Sequence, residues 1–374
     1  MAAMSSPAGL SRRRLLAAGT SGAAVLLAGP SAAAVPVSTV AEPEGVVDAH
    51  GEHQAGIVHP RIAQRHCTVV VCDVATPDVR GVLAALGARI TSLTTGAAPA
   101  LGGLGPAAVT VTVGLGPGVV RRIDPALPGT AELPRFEHED IAPGDRGGDL
   151  LLQVCAMDPL VVSLVATELA ALAGTPRWRA HGFRGAPLGE TGAARNLLGF
   201  TDGIVGPRTD AELREEVWLD GPVAGGTIAV VRRITLDTGR FLRLPVPEQE
   251  AVIGRRRDTA EPLSGGGPDS VVDLGAKTAD GEYLVPAAAH VRVAHPLTSG
   301  TGLMLRRSYS SPDGLLFISF QRDLKTFTAT QATMDEQDAL MRFVTVTATG
   351  SFLVLPGFGP DRPLGAPLWA ARTR

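Results

Sequence analysis

The sequence predicts an α+β protein made of two ferredoxin-like halves, each running β-α-β-β-α-β, packed together. Three observations point there. At 374 residues the chain exceeds one ordinary domain and suits two. Short apolar runs recur through it, several alternating with the period of strands. Strands and helical stretches then follow one another in a similar order in both halves.

Taken in sequence, Cys67–Asp73 (CTVVVCD) is a first strand, followed by a helix from Pro77-Asp78 to Leu86. Ala108–Gly114 (AVTVTVG) is a second strand, alternating at Val109, Val111 and Val113, and Gly148–Cys155 (GDLLLQVC) is a third. Pro159–Leu172 reads as a helix that is apolar on most sides, and a glycine-rich passage follows. In the second half, Gly226–Ile234 (GTIAVVRRI) is a strand, Glu248–Arg257 a helical stretch and Gly265–Pro268 a loop. His290–Val293, Leu303–Ser308 and Leu315–Phe320 are expected as short strands. Met334–Thr345 is expected as an amphipathic helix with Leu340, Met341 and Val344 on one side, and Ser351–Leu355 closes the pattern. The boundary is placed near residue 222, giving an N-terminal domain 56–222 and a C-terminal domain 223–374. The aperiodic, Pro-, Glu- and His-containing stretch 35–55 reads as a linker.

Composition narrows the function. Hydrophobic residues make up 45% and charged residues 19%, which is globular rather than disordered. A net charge of −3, with no basic stripe or arm, argues against a nucleic-acid partner. Cys67, Cys72 and Cys155 have no metal-site spacing, and Cys67 and Cys72 point to opposite faces of one strand, so the three read as small buried hydrophobes. The glycines at Gly102–Gly105 precede a strand rather than a helix, which excludes a dinucleotide-binding loop.

The N-terminus reads as an address. Ser11-Arg12-Arg13-Arg14-Leu15-Leu16 leads into a mildly apolar run to Ala28, then Gly29-Pro30 and the small residues Ala32-Ala33-Ala34. This is a secretory signal over residues 1–34, and its paired arginines mark the twin-arginine route. The translocase of that route is the expected partner during export, and the mature protein is expected outside the cytoplasm, periplasmic or extracellular. The apolar run is too short to span a bilayer, so stable membrane insertion is not expected. Because that route carries folded proteins, it favours one that receives a cofactor before export.

Two passages place polar groups where packing alone does not want them. In Arg195-Asn196-Leu197-Leu198-Gly199-Phe200-Thr201-Asp202-Gly203, Asp202 is either a turn-former or a carboxylate held against a ligand. In Ala287–Pro296, His290 sits among small residues that leave room beside the imidazole for something large and flat, and His295 precedes a proline in extended backbone. A lone histidine is by itself as compatible with a structural role as with ligation.

Together, the GxxDG element Gly199–Gly203, the Ala-His-Val-Arg element 289–292 and the Leu-Arg-Arg element 305–307 resemble the dye-decolourising peroxidases, in particular the exported, deferrochelatase-like branch. The resemblance extends over almost the whole mature chain, through Gly56-Ile57, Gly148–Leu151, Gly314–Phe317 and Leu355–Gly357. It implies one b-type haem in the C-terminal half, with His290 as proximal iron ligand, Asp202 as distal acid–base residue and Arg306 as distal cation. It also groups Gly203 and Arg292 with the cofactor pocket and makes Asp338 the partner of the second His290 nitrogen. Arg307 follows Arg306 and alternation places it on the opposite face. The implied activity is peroxide-dependent one-electron oxidation of organic donors such as dyes and phenolics, best in mild acid, where the ionised aspartate base and the donor chemistry are both served. The alternative is a haem-handling protein that takes iron from haem. The sequence leaves open a homo-oligomer, the donor and the role of Ser308.

Overall fold

The computed structural model describes residues 41–189 and 191–370, so the expected signal peptide and the start of the expected linker lie outside the described residues. The first half contains β1 (His66–Asp73), α1 (Val79–Thr94), β2 (Thr110–Leu115), α2 (Pro117–Ile123), β3 (Leu150–Ala156), α3 (Pro159–Ala173) and β4 (Thr175–Phe183). A short ribbon of β5 (Ala194–Arg195) and β6 (Thr201–Asp202) and then α4 (Asp210–Glu216) lead to the second half. That half contains β7 (Thr227–Leu236), α5 (Thr238–Leu242), α6 (Val246–Ile253), α7 (His290–Val293), α8 (Pro296–Ser299), β8 (Leu305–Arg306), β9 (Tyr309–Ser311), β10 (Gly314–Gln321), α9 (Leu324–Gln337) and β11 (Val344–Val354). The four-residue α10 (Pro367–Ala370) follows.

Local chemistry sets several of these boundaries. The β-branched run of β1 favours a pleated strand. The Asp78 carboxylate accepts from Gly81 N at the start of α1, and Asp158 does the same for Leu160 N at the start of α3, where Pro159 takes the position that needs no donor.

The strand order is that of two ferredoxin-like sheets. The first half pairs β2-β3-β1-β4 and the second β11-β7-β10-β9, with β8 also on β10. Short antiparallel seams join them, Leu353 and Val354 of β11 to Leu115 and Gly114 of β2, and Phe183 of β4 to Ser310 of β9. The strands thus close into a ring around an apolar interior that includes Val69, Leu151, Val231, Ile318 and Phe352. On the outer face of the first sheet, α1 and α3 cover a large second core. Residues 41–55 are not a loose tether. Gln54 is buried, accepts from Val113 N and donates to the carbonyls of Val113 and Leu355, which laces β2 to the end of β11.

Several expected elements take other forms. His290–Val293 is a helical turn, not a strand, because its chain enters from the Ala287-Ala288-Ala289 bend and its carbonyls close back on residues 292–294. The helix expected at Met334–Thr345 ends at Gln337; residues 341–343 form a tight turn and β11 begins at Val344. α9 itself lies earlier, over a threonine-rich stretch of weak helix propensity. Of Leu303–Ser308 only Leu305–Arg306 pairs as strand, and Ser351–Leu355 is largely the end of the 11-residue β11. β4 was not anticipated, since its inward positions include Ala180 and Gly182, which carry no strand signal.

Candidate active site

Where the first half lays two helices side by side on its sheet, the second half lays only one long helix, α9. The remaining space, under the long excursion from α5 to β8, encloses a cavity of about 280 Å³. Its floor is the outer face of β7, β10 and β11, through Ile234, Phe317 and Val346. A bulge between Val346 and Ala348 lets β11 supply this face at Val344 and Val346 and the barrel interior from Ala348 onward.

His290 opens α7 and lines the cavity. Its Nδ1 lies 2.6 Å from Oδ2 of Asp338, the residue that ends α9. A carboxylate oxygen only accepts, so Nδ1 carries the proton of this bond, and a neutral ring presents the bare lone pair of Nε2. The Asp338 side chain is wholly buried and its other oxygen accepts from Leu340 N at 2.8 Å. A third of the His290 side chain (32%) stays accessible because it faces the cavity. Burial pushes the imidazole pKa down, but the charge and hydrogen bond of Asp338 outweigh it, and the group stands above its ordinary value.

Asp202 and Arg306 reach the same cavity from other elements. Asp202 lies at the end of β6 after a turn in which Asn196 N bonds the Phe200 carbonyl and the Asn196 side chain accepts from Leu198 N and Phe200 N. Gly199 sits there at φ +84°, which favours glycine, and a Cβ would also have to displace the Arg257 guanidinium from 2.7 Å. Asp202 therefore belongs to a turn and also faces a cavity, the two readings left open by the sequence. Its Oδ1 accepts from Gly203 N, and Gly203 lines the same space.

Arg306 projects from β8, opposite Ser319 of β10. Its Nη2 lies 3.9 Å from Oδ1 of Asp202, an ion pair too long for a direct hydrogen bond, with both side chains about a third accessible (31% and 37%). Each keeps hydrogen-bonding capacity for a small molecule between them. Arg307, as alternation requires, turns to the barrel interior and donates to the Pro60 carbonyl. Ser308 lines the cavity, while its hydroxyl accepts from Ile318 N.

Arg292 is not brought to the cavity. Its guanidinium donates to the Val285 and Leu274 carbonyls and lies over the Tyr283 ring at 4.5 Å, fixing the loop that precedes α7. Two cavity groups were missed from the sequence. His295, extended before its proline as expected, lines the cavity wall rather than lying simply at the surface, as its sequence context suggested. Arg232 of β7 is 2% exposed, donates to Gln331 and Glu139, lies over the Phe136 and Phe327 rings, and has an unpartnered Nε. Burial lowers its pKa to about 10, against Glu139, and leaves it cationic at neutral pH. Its only sequence signal is an arginine pair within an apolar strand.

Family models match along the chain in the order of the two halves, "Dyp-type peroxidase, N-terminal" over residues 54–184 and "Dyp-type peroxidase, C-terminal" over residues 193–358. The chain belongs to the Dyp-type peroxidase family. It is 36% identical over 299 residues to a dye-decolorizing peroxidase of Thermobifida fusca, covering 71% of this chain and 68% of that protein. A deferrochelatase of Escherichia coli is 30% identical over 359 residues, covering 82% of this chain and 83% of the relative. Among solved structures, a Dyp-type peroxidase from Cellulomonas bogoriensis superposes with a TM-score of 0.78 at 31% identity, covering 87% of this chain and 98% of that one. An oxyferrous complex of DtpA from Streptomyces lividans gives the same score at 32% identity, covering 86% and 97%. The protein is a peroxidase of this family, and its two-half α+β architecture is the family's.

Proposed function

We propose that this peroxidase binds haem b, one per chain, through His290 and uses Asp202 and Arg306 to activate hydrogen peroxide for one-electron oxidation of small organic donors. The observation that carries the reading is a single cavity reached by a carboxylate-backed imidazole and by an aspartate–arginine pair.

The residues present fit the cofactor. Among the described residues no group of three or more His, Cys, Asp or Glu side chains converges to cage a bare metal ion. A single imidazole suits iron that brings its own ring of nitrogen donors. The cavity walls are largely apolar, and the unpartnered Nε of buried Arg232 suits a propionate carboxylate.

Haem, when bound, supplies the redox-active iron that takes oxidising equivalents from peroxide and returns them singly to donors. The protein groups do the rest. Asp338 keeps the proton on His290 Nδ1, which fixes the ring and raises the basicity of Nε2. Asp202 takes a proton from one peroxide oxygen and returns it to the other, which leaves as water. Arg306 opposes the negative charge that develops on oxygen during that transfer.

The N-terminal address supports export by the twin-arginine route to the periplasm or cell exterior, and among the described residues no helix is long and apolar enough to cross a membrane. The reading keeps a signal over 1–34 and domains meeting near residue 222, with the stretch before residue 56 packed onto the fold from residue 41 rather than serving as a linker. The deferrochelatase relative favours a second reading, iron release from haem in the same cavity.

Asp202→Ala and Arg306→Ala separate the two. A peroxidase keeps its haem band and loses about 10²–10⁴-fold in the rate of reaction with peroxide. A haem carrier tolerates both changes and exchanges haem readily.

A further inference from the structure

The thiols that this chemistry leaves unused lie together inside the barrel. Cys67 of β1 and Cys155 of β3 are directly opposed in antiparallel register and point into the same interior, each 1% exposed. Opposed residues on antiparallel strands have Cα atoms about 4.5–5.5 Å apart, within the span a disulfide bridges. Neither is bonded to another cysteine.

Arg307 reaches the same place. It is 5% exposed, and only one of its nitrogens is partnered, by the Pro60 carbonyl; Nε and Nη2 have no partner, nor does the Tyr309 hydroxyl. Among the described residues no carboxylate pairs with it. The groups that act on it are Tyr309, Cys155, Cys67 and the cation Arg184. A buried guanidinium stays charged and requires an anion, and the acids within reach are two thiols and a phenol. The Cys67 thiol beside it holds Cys155 below the ordinary thiol range against burial, and the Arg307 charge acts in the same direction. Burial pushes Cys67 and Tyr309 up.

Tyr309 also walls a small cavity of about 20 Å³ with Asp202, Arg306 and Ser308, room for a molecule the size of water. Tyr309 thus belongs both to the wall of this cavity and to the barrel interior that holds the two thiols.

We propose that Cys67 and Cys155 are a reversible thiol–disulfide pair that consumes hydrogen peroxide inside the barrel, apart from the haem cavity. The Cys155 thiolate attacks one peroxide oxygen; the S–O bond forms, the O–O bond breaks, and the departing hydroxide takes the Cys67 proton and leaves as water. The Cys67 thiolate then attacks the Cys155 sulfur; the S–S bond forms, the S–O bond breaks, and the second hydroxide takes a proton from solvent. Two electrons pass from the two sulfurs to peroxide, giving two waters. Oxidation removes both thiols from the acids that face Arg307 and leaves it only the Tyr309 phenol, which favours return to the dithiol and makes the bond reducible. The inference rests on peroxide being the substrate and not on the haem ligand.

The test is peroxide titration of the haem-loaded protein, then denaturation, alkylation and mass mapping. The expected result is loss of two of the three thiols, a Cys67–Cys155 linked peptide with Cys72 still alkylated, and full reversal by dithiothreitol. Cys67→Ser should trap Cys155 as its oxy-acid, and Asp202→Asn should leave the disulfide yield unchanged. Three alkylatable thiols after peroxide, oxidation at Cys72 instead, or a disulfide that forms only when Asp202 is intact would each overturn the proposal.

Discussion

Replacing Asp338 with asparagine changes one atom type in a group that holds His290 and nothing that lines the cavity beside Asp202. In the wild type the carboxylate accepts from His290 Nδ1 at 2.6 Å and from Leu340 N at 2.8 Å, with its side chain wholly buried. Asparagine offers one oxygen for two donors, so the His290 bond is lost or becomes neutral. A hydrogen bond to a charged group contributes about 1.5–3 kcal/mol and a neutral one about 0.5–1.5 kcal/mol. The difference, about 1–1.5 kcal/mol, is about tenfold in affinity. Loss of a partner behind a metal ligand typically weakens binding about 10–100-fold, and that figure lies at the lower end of this range. Titrating haem into the apoprotein and following the Soret band should show a dissociation constant raised within this range. The reduction potential should rise as the imidazole becomes less basic. Haem affinity within twofold of wild type, at an unchanged potential, would refute the argument that Asp338 orients and polarises His290.

Two further substitutions probe the scaffold. Gly199→Ala places a Cβ at φ +84° and 2.7 Å from Arg257, and should destabilise by about 1–2 kcal/mol, read as a fall of several degrees in Tm; an unchanged Tm contradicts the turn geometry. Gln54→Ala removes three buried hydrogen bonds across the β2–β11 seam and should cost about 2–4 kcal/mol in urea unfolding, whereas a loss below about 0.5 kcal/mol would mean the seam does not depend on it.

Apart from β4, the first half of the fold was legible because β1 and β2 are β-branched, β3 is a short apolar run and its two long helices are apolar and capped, so local preference and tertiary structure agree. The second half was harder to read where the cavity is built. α9 is threonine-rich because part of its face, through Thr330 and Gln331, lines the cavity and meets Arg232 rather than a plain apolar core. The apolar spacing at Leu340, Met341 and Val344 belongs to a turn and a strand that share one wall, not to a helix. His290 and Asp202 were legible through the resemblance; their residue types alone left structural and ligand roles open. The pairing of Cys67 with Cys155 was invisible, since it depends on which strands become neighbours and not on spacing. Arg232 was missed because a buried cation at a sheet face has no periodic signature.

The central claim is that His290 holds haem in this cavity, and the absorption spectrum of haem-supplied protein, wild type beside His290→Ala, tests it most directly. The account predicts a Soret band in the wild type that is lost or shifted to weak ligation in the variant. An unaltered band in His290→Ala would contradict the ligand assignment, and no band in the wild type would contradict the haem site itself.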